Sequence, residues 1–256
     1  MALATEYNPN GVIVWEGLSL IDRKTPVVCI LVGLVDASDN TKTGGLVQSY
    51  IIRSDMHPFE AAKSRQDFGL CGNCLHRYDE NGVRTCYVNL LHGPRTVWEQ
   101  FKAGRYERVT PEEAAERMAG GMLRHGSYGD PAAVPVPVWK ALQRRAIGWT
   151  GYTHQWRSRR FQALRDFCMA SCDTPEDVEQ ARAMGWSTFH VMPSTVEDPP
   201  ADAFHCIASE EVGKVMQCVD CMACSGTTYE QRDVVIYAHG TSSRRYTGRR
   251  ALPVLA

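Results

Sequence analysis

Three cysteines at the spacing Cys218-x2-Cys221-x2-Cys224, with Cys206 eleven residues ahead of them, constrain this chain more than any other feature. A second group, Cys71-x2-Cys74, is followed after eleven residues by Cys86. Two residues between cysteines let both sulfurs point at one metal centre, and Gly72 permits the tight turn this needs. Any fold the chain adopts has to carry these sulfurs to shared points. The N-terminus, MALATEYNPNG, lacks the basic start and apolar stretch of a secretory signal. The longest apolar run, Val27 to Val35, is interrupted by Gly33 and is too short to span a bilayer. A soluble cytoplasmic protein with no membrane partner is therefore expected. In such a reducing compartment disulfides are rare, so clustered cysteines point to metal.

The run of three cysteines resembles the ferredoxin ligand pattern, with Cys206 as the fourth thiolate. One or two [4Fe–4S] clusters are thus expected on Cys71, Cys74, Cys86, Cys206, Cys218, Cys221 and Cys224. Zinc is the alternative, with Cys71 and Cys74 joining Cys218 and Cys221 in a ribbon-like set. The first group offers only three cysteines. Either a His, an Asp or Cys172 completes it, or one iron stays open for a small molecule such as S-adenosylmethionine. Cys29 and Cys168 lie in apolar stretches and read as core residues.

A composition of 44% hydrophobic and 22% charged residues is that of an ordinary globular chain, which excludes disorder. The net charge of -1 argues against neutralising a nucleic-acid backbone as the main task. Two basic runs, Arg157/Arg159/Arg160 and Arg244/Arg245/Arg249/Arg250, leave a nucleic-acid partner open, though solvated loops and a frayed C-terminus are the favoured account of them.

Residues 1–70 read as β-rich: Gly11–Ile21, Thr25–Val35 and Gly45–Arg53 are apolar, β-branched and separated by turns. Residues 71–240 alternate short strands with helices. The strands are expected at Cys86–Leu91, Met122–His125, Gly148–His154, Phe167–Ser171, Thr188–Met192 and Val234–Ala238. Helices are expected at Thr96–Ala103, after Thr110, at Val138–Ala146 and from Asp173 to Met184. Such alternation predicts an α/β fold with a parallel sheet. The form favoured is a partial (β/α) barrel behind an N-terminal antiparallel segment, with 241–256 as a basic tail.

In parallel βα folds the site lies at the carboxyl ends of the strands. This places Arg124, His125, Asp130, Tyr152 and His154 as candidate catalytic groups. Asn89, His92, Ser171 and Asp173 are candidates for holding a cofactor, and Asp173 fits a helix N-cap as well. A small-molecule or nucleotide ligand suits this set. No hydrolase elbow, phosphate loop or dinucleotide fingerprint is present.

The stretches IIRSDMHPFEAA, CGNCLHR, CYVNLLHGPRTVW, TGYTHQW, CIASEEVGKVMQCVDCMAC and VVIYAHG resemble a family of uncharacterised tailed-phage and prophage proteins. That resemblance implies work in a host cytoplasm but carries no activity. The βα alternation with cluster cysteines also resembles radical S-adenosylmethionine enzymes, although their C-x3-C-x2-C signature is absent. The chain is expected to be an iron–sulfur redox or radical-type enzyme, or a non-catalytic metal-stabilised protein that engages a host protein or nucleic acid.

Overall fold

The computed structural model describes residues 7–37, 42–195, 200–201, 203–209, 212–213, 216–229, 233–240 and 243–246. The first three strands, β1 (Gly11–Leu18), β2 (Pro26–Val32) and β3 (Val47–Arg53), form the expected antiparallel meander. Their β-branched residues suit a pleated, buried surface; Val28, Ile30, Ile51 and Ile52 are fully buried. The short helices α1 (Pro58–Lys63) and α2 (Phe68–Cys71) follow, and α2 ends inside the first cysteine turn.

Helix α3 (Gly93–Lys102) begins earlier than the sequence suggested, and a two-residue strand β4 (Glu107–Arg108) pairs with β1. Helix α4 (Pro111–Arg117) opens with a complete capping box: Glu113 N–H donates to Thr110, and the Glu113 carboxylate receives the Thr110 N–H. Then come β5 (Met122–Tyr128), α5 (Val136–Gln143), β6 (Gly148–Thr153), β7 (Met169–Cys172), α6 (Pro175–Ala183), β8 (Thr188–Met192), β9 (Phe204–His205), α7 (Cys218–Cys221) and β10 (Asp233–Tyr237). Thr174 caps α6, accepting from Asp177 N–H, so Asp173 is released from the capping role.

Among the described residues the strands form one ten-stranded sheet in the order β4-β1-β2-β3-β5-β6-β7-β8-β10-β9. Only β2 runs against the rest. The parallel strands β3, β5, β6, β7, β8 and β10 are neighbours in chain order, which is the winding of a barrel. The sheet is nevertheless open, with β4 and β9 as its edges, so no closed barrel forms. The N-terminal strands belong to this same sheet, since β3 pairs with β5.

Cys86–Leu91, expected as the first parallel strand, is irregular. The Arg84 guanidinium donates to the carbonyls of Cys86 and Val88 at 3.1 and 2.9 Å, taking acceptors that a neighbouring strand would use. Of the basic tail, Ser243–Arg245 forms a 3-10 turn and Tyr246 is buried, whereas Arg249 and Arg250 lie outside the described residues. The other basic run is engaged within the fold. Arg157 pairs with Asp177 and stacks over Trp156, and Arg160 donates to the Leu20 carbonyl.

Gly129 links β5 to the loop that carries Asp130. Its φ is +83°, and an added Cβ would lie 2.6 Å from the Ile51 carbonyl oxygen on β3. Gly129→Ala should therefore lower unfolding free energy by at least about 1 kcal/mol, read by chemical denaturation.

Candidate functional site

Because side chains alternate across a strand, one face of the parallel sheet presents Gln48, Tyr50, Arg124, Thr150, Tyr152, Ser171, Phe189, Val191, Val234 and Ile236 to a cavity of about 550 Å³. That volume is suited to a small molecule or cofactor. All seven clustered cysteines line this same cavity. Their two groups occupy opposite ends of the strands.

The three-cysteine group lies at the carboxyl ends. The Gln155 side-chain amide, just past β6, donates to the Cys71 carbonyl at 3.2 Å, and its oxygen accepts from Asn73 N–H. Gly72, at φ +52°, allows this contact, since any Cβ there would lie 2.4 Å from the Gln155 amide. Burial raises the Cys71 thiol well above its usual pKa, and Asp67, Cys74 and Cys86 add to the effect. Burial raises Cys86 as well, with Cys74 contributing. The three sulfurs are thus within electrostatic reach of one another.

Asp130 organises this end. Its carboxylate accepts from Ala132 N–H, Thr153 Oγ1, His154 N–H and the Gln155 amide, at 2.9, 2.7, 2.9 and 3.2 Å. Its own N–H donates to the Leu70 carbonyl at 2.7 Å. Burial raises its carboxyl pKa against the pull of these donors. Beside it, Asp173 lies 3.0 Å from His76 Nε2 and 3.5 Å from His154 Nε2. Burial pushes the Asp173 carboxyl up, but the two imidazoles overcome this and hold it far below the carboxylate range.

The four-cysteine group lies toward the amino ends. Cys218 packs with Leu46 and Met122, which precede β3 and open β5. The Cys224 carbonyl accepts from Gly151 N–H at 3.1 Å, and the Ser225 carbonyl accepts from Trp149 Nε1 at 3.1 Å. Segment 224–227 thereby fills the space where β6 and β7 diverge. Burial raises Cys218 and Cys224, with Cys206 and Cys221 among the neighbours acting on both. Arg124 is buried close to Cys218 and donates to Tyr87 Oη at 2.7 Å. Among the described residues no carboxylate pairs with it. Burial opposes its charge, but the Tyr87 and Tyr152 hydroxyls and the Cys218 thiol outweigh that and keep the guanidinium charged.

Of the residues singled out from sequence, Arg124, Asp130, Tyr152, His154, Asn89, His92 and Ser171 line the cavity. Asp173 backs it through His76 and His154. His125 is elsewhere: its neighbour Arg124 faces the cavity, so His125 faces the helices. There it lies edge-on to Trp139 at 4.9 Å, 2.9 Å from the Gln143 amide, and fully buried. Cys172 points away from the cavity, and Cys29 and Cys168 are fully buried in the core. Sequence reading missed His76, Thr85, Tyr87 and Tyr246. Only His76 carried a signal, two residues beyond Cys74.

The chain matches no family model, no curated protein and no solved structure.

Burial lowers the His125 pKa to about 3. An unfolded chain protonates this ring below the ordinary histidine value while the folded chain does not, so stability falls as pH drops from about 6.5 toward 3. His125→Gln, neutral throughout, should show a shallower acid limb in urea denaturation measured across that window.

Proposed function

We propose that this chain is an iron–sulfur protein whose cavity binds and activates a small molecule. The observation that carries the reading is that seven cysteines, spread from residue 71 to residue 224, all line one cavity. The four-thiol group is a complete ligand set of the ferredoxin type. The three-thiol group, at the polar carboxyl ends of the strands, is where a cluster would retain an open iron. The singly wound order of the parallel strands supports a partial-barrel relationship to radical S-adenosylmethionine enzymes, as the resemblance implies.

The run of three cysteines at two-residue intervals favours a cluster over zinc, because tetrahedral zinc normally takes its cysteines in pairs. The ribbon-like pairing of Cys71/Cys74 with Cys218/Cys221 is disfavoured further, because these thiols fall into different electrostatic groups.

The residues around each group fit such an occupant. Arg124 is a buried cation without a carboxylate, and an anionic thiolate–metal centre next to Cys218 would offset its desolvation. The Tyr152 hydroxyl neighbours the Cys224 thiol and opposes the rise in its pKa, the kind of outer contact that tunes a cluster. Raised thiol pKa values mean that loading must release protons. When bound, an iron–sulfur centre supplies one-electron transfer. The chain's own part is to shield that centre and to orient a ligand with the Arg124, Asn89 and His92 side chains.

Anaerobically isolated protein should be brown, absorb near ~400 nm and carry about eight irons with matching sulfide. Cys71→Ala should halve the iron and leave the remaining signal intact. Colourless protein with stoichiometric zinc overturns the reading. Reduced protein should also cleave S-adenosylmethionine; failure there, with iron and sulfide present, removes the radical chemistry and leaves a metal-stabilised binding protein.

A further inference from the structure

We propose that His76, His154 and Asp173 form a separate mononuclear site for a divalent first-row metal ion, with its open coordination positions facing the cavity. The three residues come from distant segments: the turn after Cys74, the end of β6 and the loop between β7 and α6. His76 Nε2, His154 Nε2 and a carboxylate oxygen of Asp173 all lie within 4.8 Å of one another. Two imidazoles and one carboxylate make a donor set that suits iron(II), manganese(II) or zinc(II) and leaves positions for a ligand.

A second observation separates this arrangement from a simple ion-pair cluster. Both Nε2 atoms are buried, and although each lies at ion-pair distance from Asp173, neither finds a hydrogen-bond partner in acceptable geometry. Buried polar atoms left without well-formed hydrogen bonds are costly, and here two of them are aimed at one carboxylate. A cation bound by both nitrogens and the carboxylate satisfies all three at once.

The outer contacts are those of a metal site. His76 Nδ1 is 2.9 Å from Thr85 Oγ1, an interaction that fixes the ring and leaves Nε2 free to bind. The Tyr246 hydroxyl lies 3.2 Å from Asp173 Oδ1, the oxygen that also faces His76. His76 and His154 line the cavity, whereas Asp173 is 4% exposed behind them. An ion there would lie beside the three-thiol group, since His154 also neighbours Cys74, and would take oxygen ligands such as water or a substrate carboxylate or phosphate.

This inference does not depend on the iron–sulfur reading, and manganese(II) tests it independently because that ion prefers nitrogen and oxygen over thiolate. The full chain, reconstituted anaerobically, is titrated with Mn2+ while the free ion is followed by electron paramagnetic resonance. One Mn2+ per chain should be taken up. Asp173→Asn and His76→Gln should each weaken binding by about 100-fold or more, with iron and sulfide content unchanged. Absence of uptake by the wild-type chain overturns the site, as does uptake that persists unaltered in folded variants. If either variant misfolds, the other and the wild-type stoichiometry decide.

Discussion

The carboxyl end of the sheet depends on one buried carboxylate. Asp130 collects four donors from the loop after β5 and the end of β6, while its N–H holds the Leu70 carbonyl. Through Gln155 the same network reaches the Cys71 carbonyl. A carboxylate removed from water is tolerated only when its lone pairs are satisfied, and here the groups that satisfy it are the backbone of the site itself. The position of the first cysteine turn is thus set by the solvation needs of a residue that is not one of the cysteines.

The two ends of the cavity differ in chemistry. At the amino ends, thiols are packed against Leu46, Met122 and other apolar side chains, with the buried Arg124 guanidinium nearby. At the carboxyl ends, thiols lie among imidazoles, carboxylates and hydroxyls. The first environment suits a centre kept from water and exchanging little besides electrons. The second suits one that meets a ligand. Both open on one volume, so whatever enters at the polar end also approaches the shielded one.

Much of this architecture was legible in the sequence where local signals agreed. Thr188–Met192 is the strand its β-branched run implied, and the Thr110-Pro111-Glu112-Glu113 start capped a helix as its chemistry required. The seven cysteines that the spacing singled out all line the cavity. The errors came where a tertiary contact outweighed local preference. Cys86–Leu91 looks like a strand, but Arg84 occupies its carbonyls. His125 stands beside a true cavity residue, and a one-residue shift in a strand reverses its face. His76 and Tyr246 acquire meaning only through Asp173, from which they are separated by 97 and 73 positions in the chain.

The segment 224–227 fills the divergence between β6 and β7, which pair only at Tyr152–Met169 and Thr153–Ala170. This makes the middle of the sheet a seam. On one side lie β1 to β6, on the other β7 to β10, and the chain crosses between them once through 154–168. The four C-terminal cysteines all belong to the second half, yet Leu46, Met122, Trp149 and Gly151, on which their segment rests, belong to the first. The cysteine segment thus bridges the two halves where the strand ladder is thin, alongside the shared core and the contacts of Asp173 with His76 and His154.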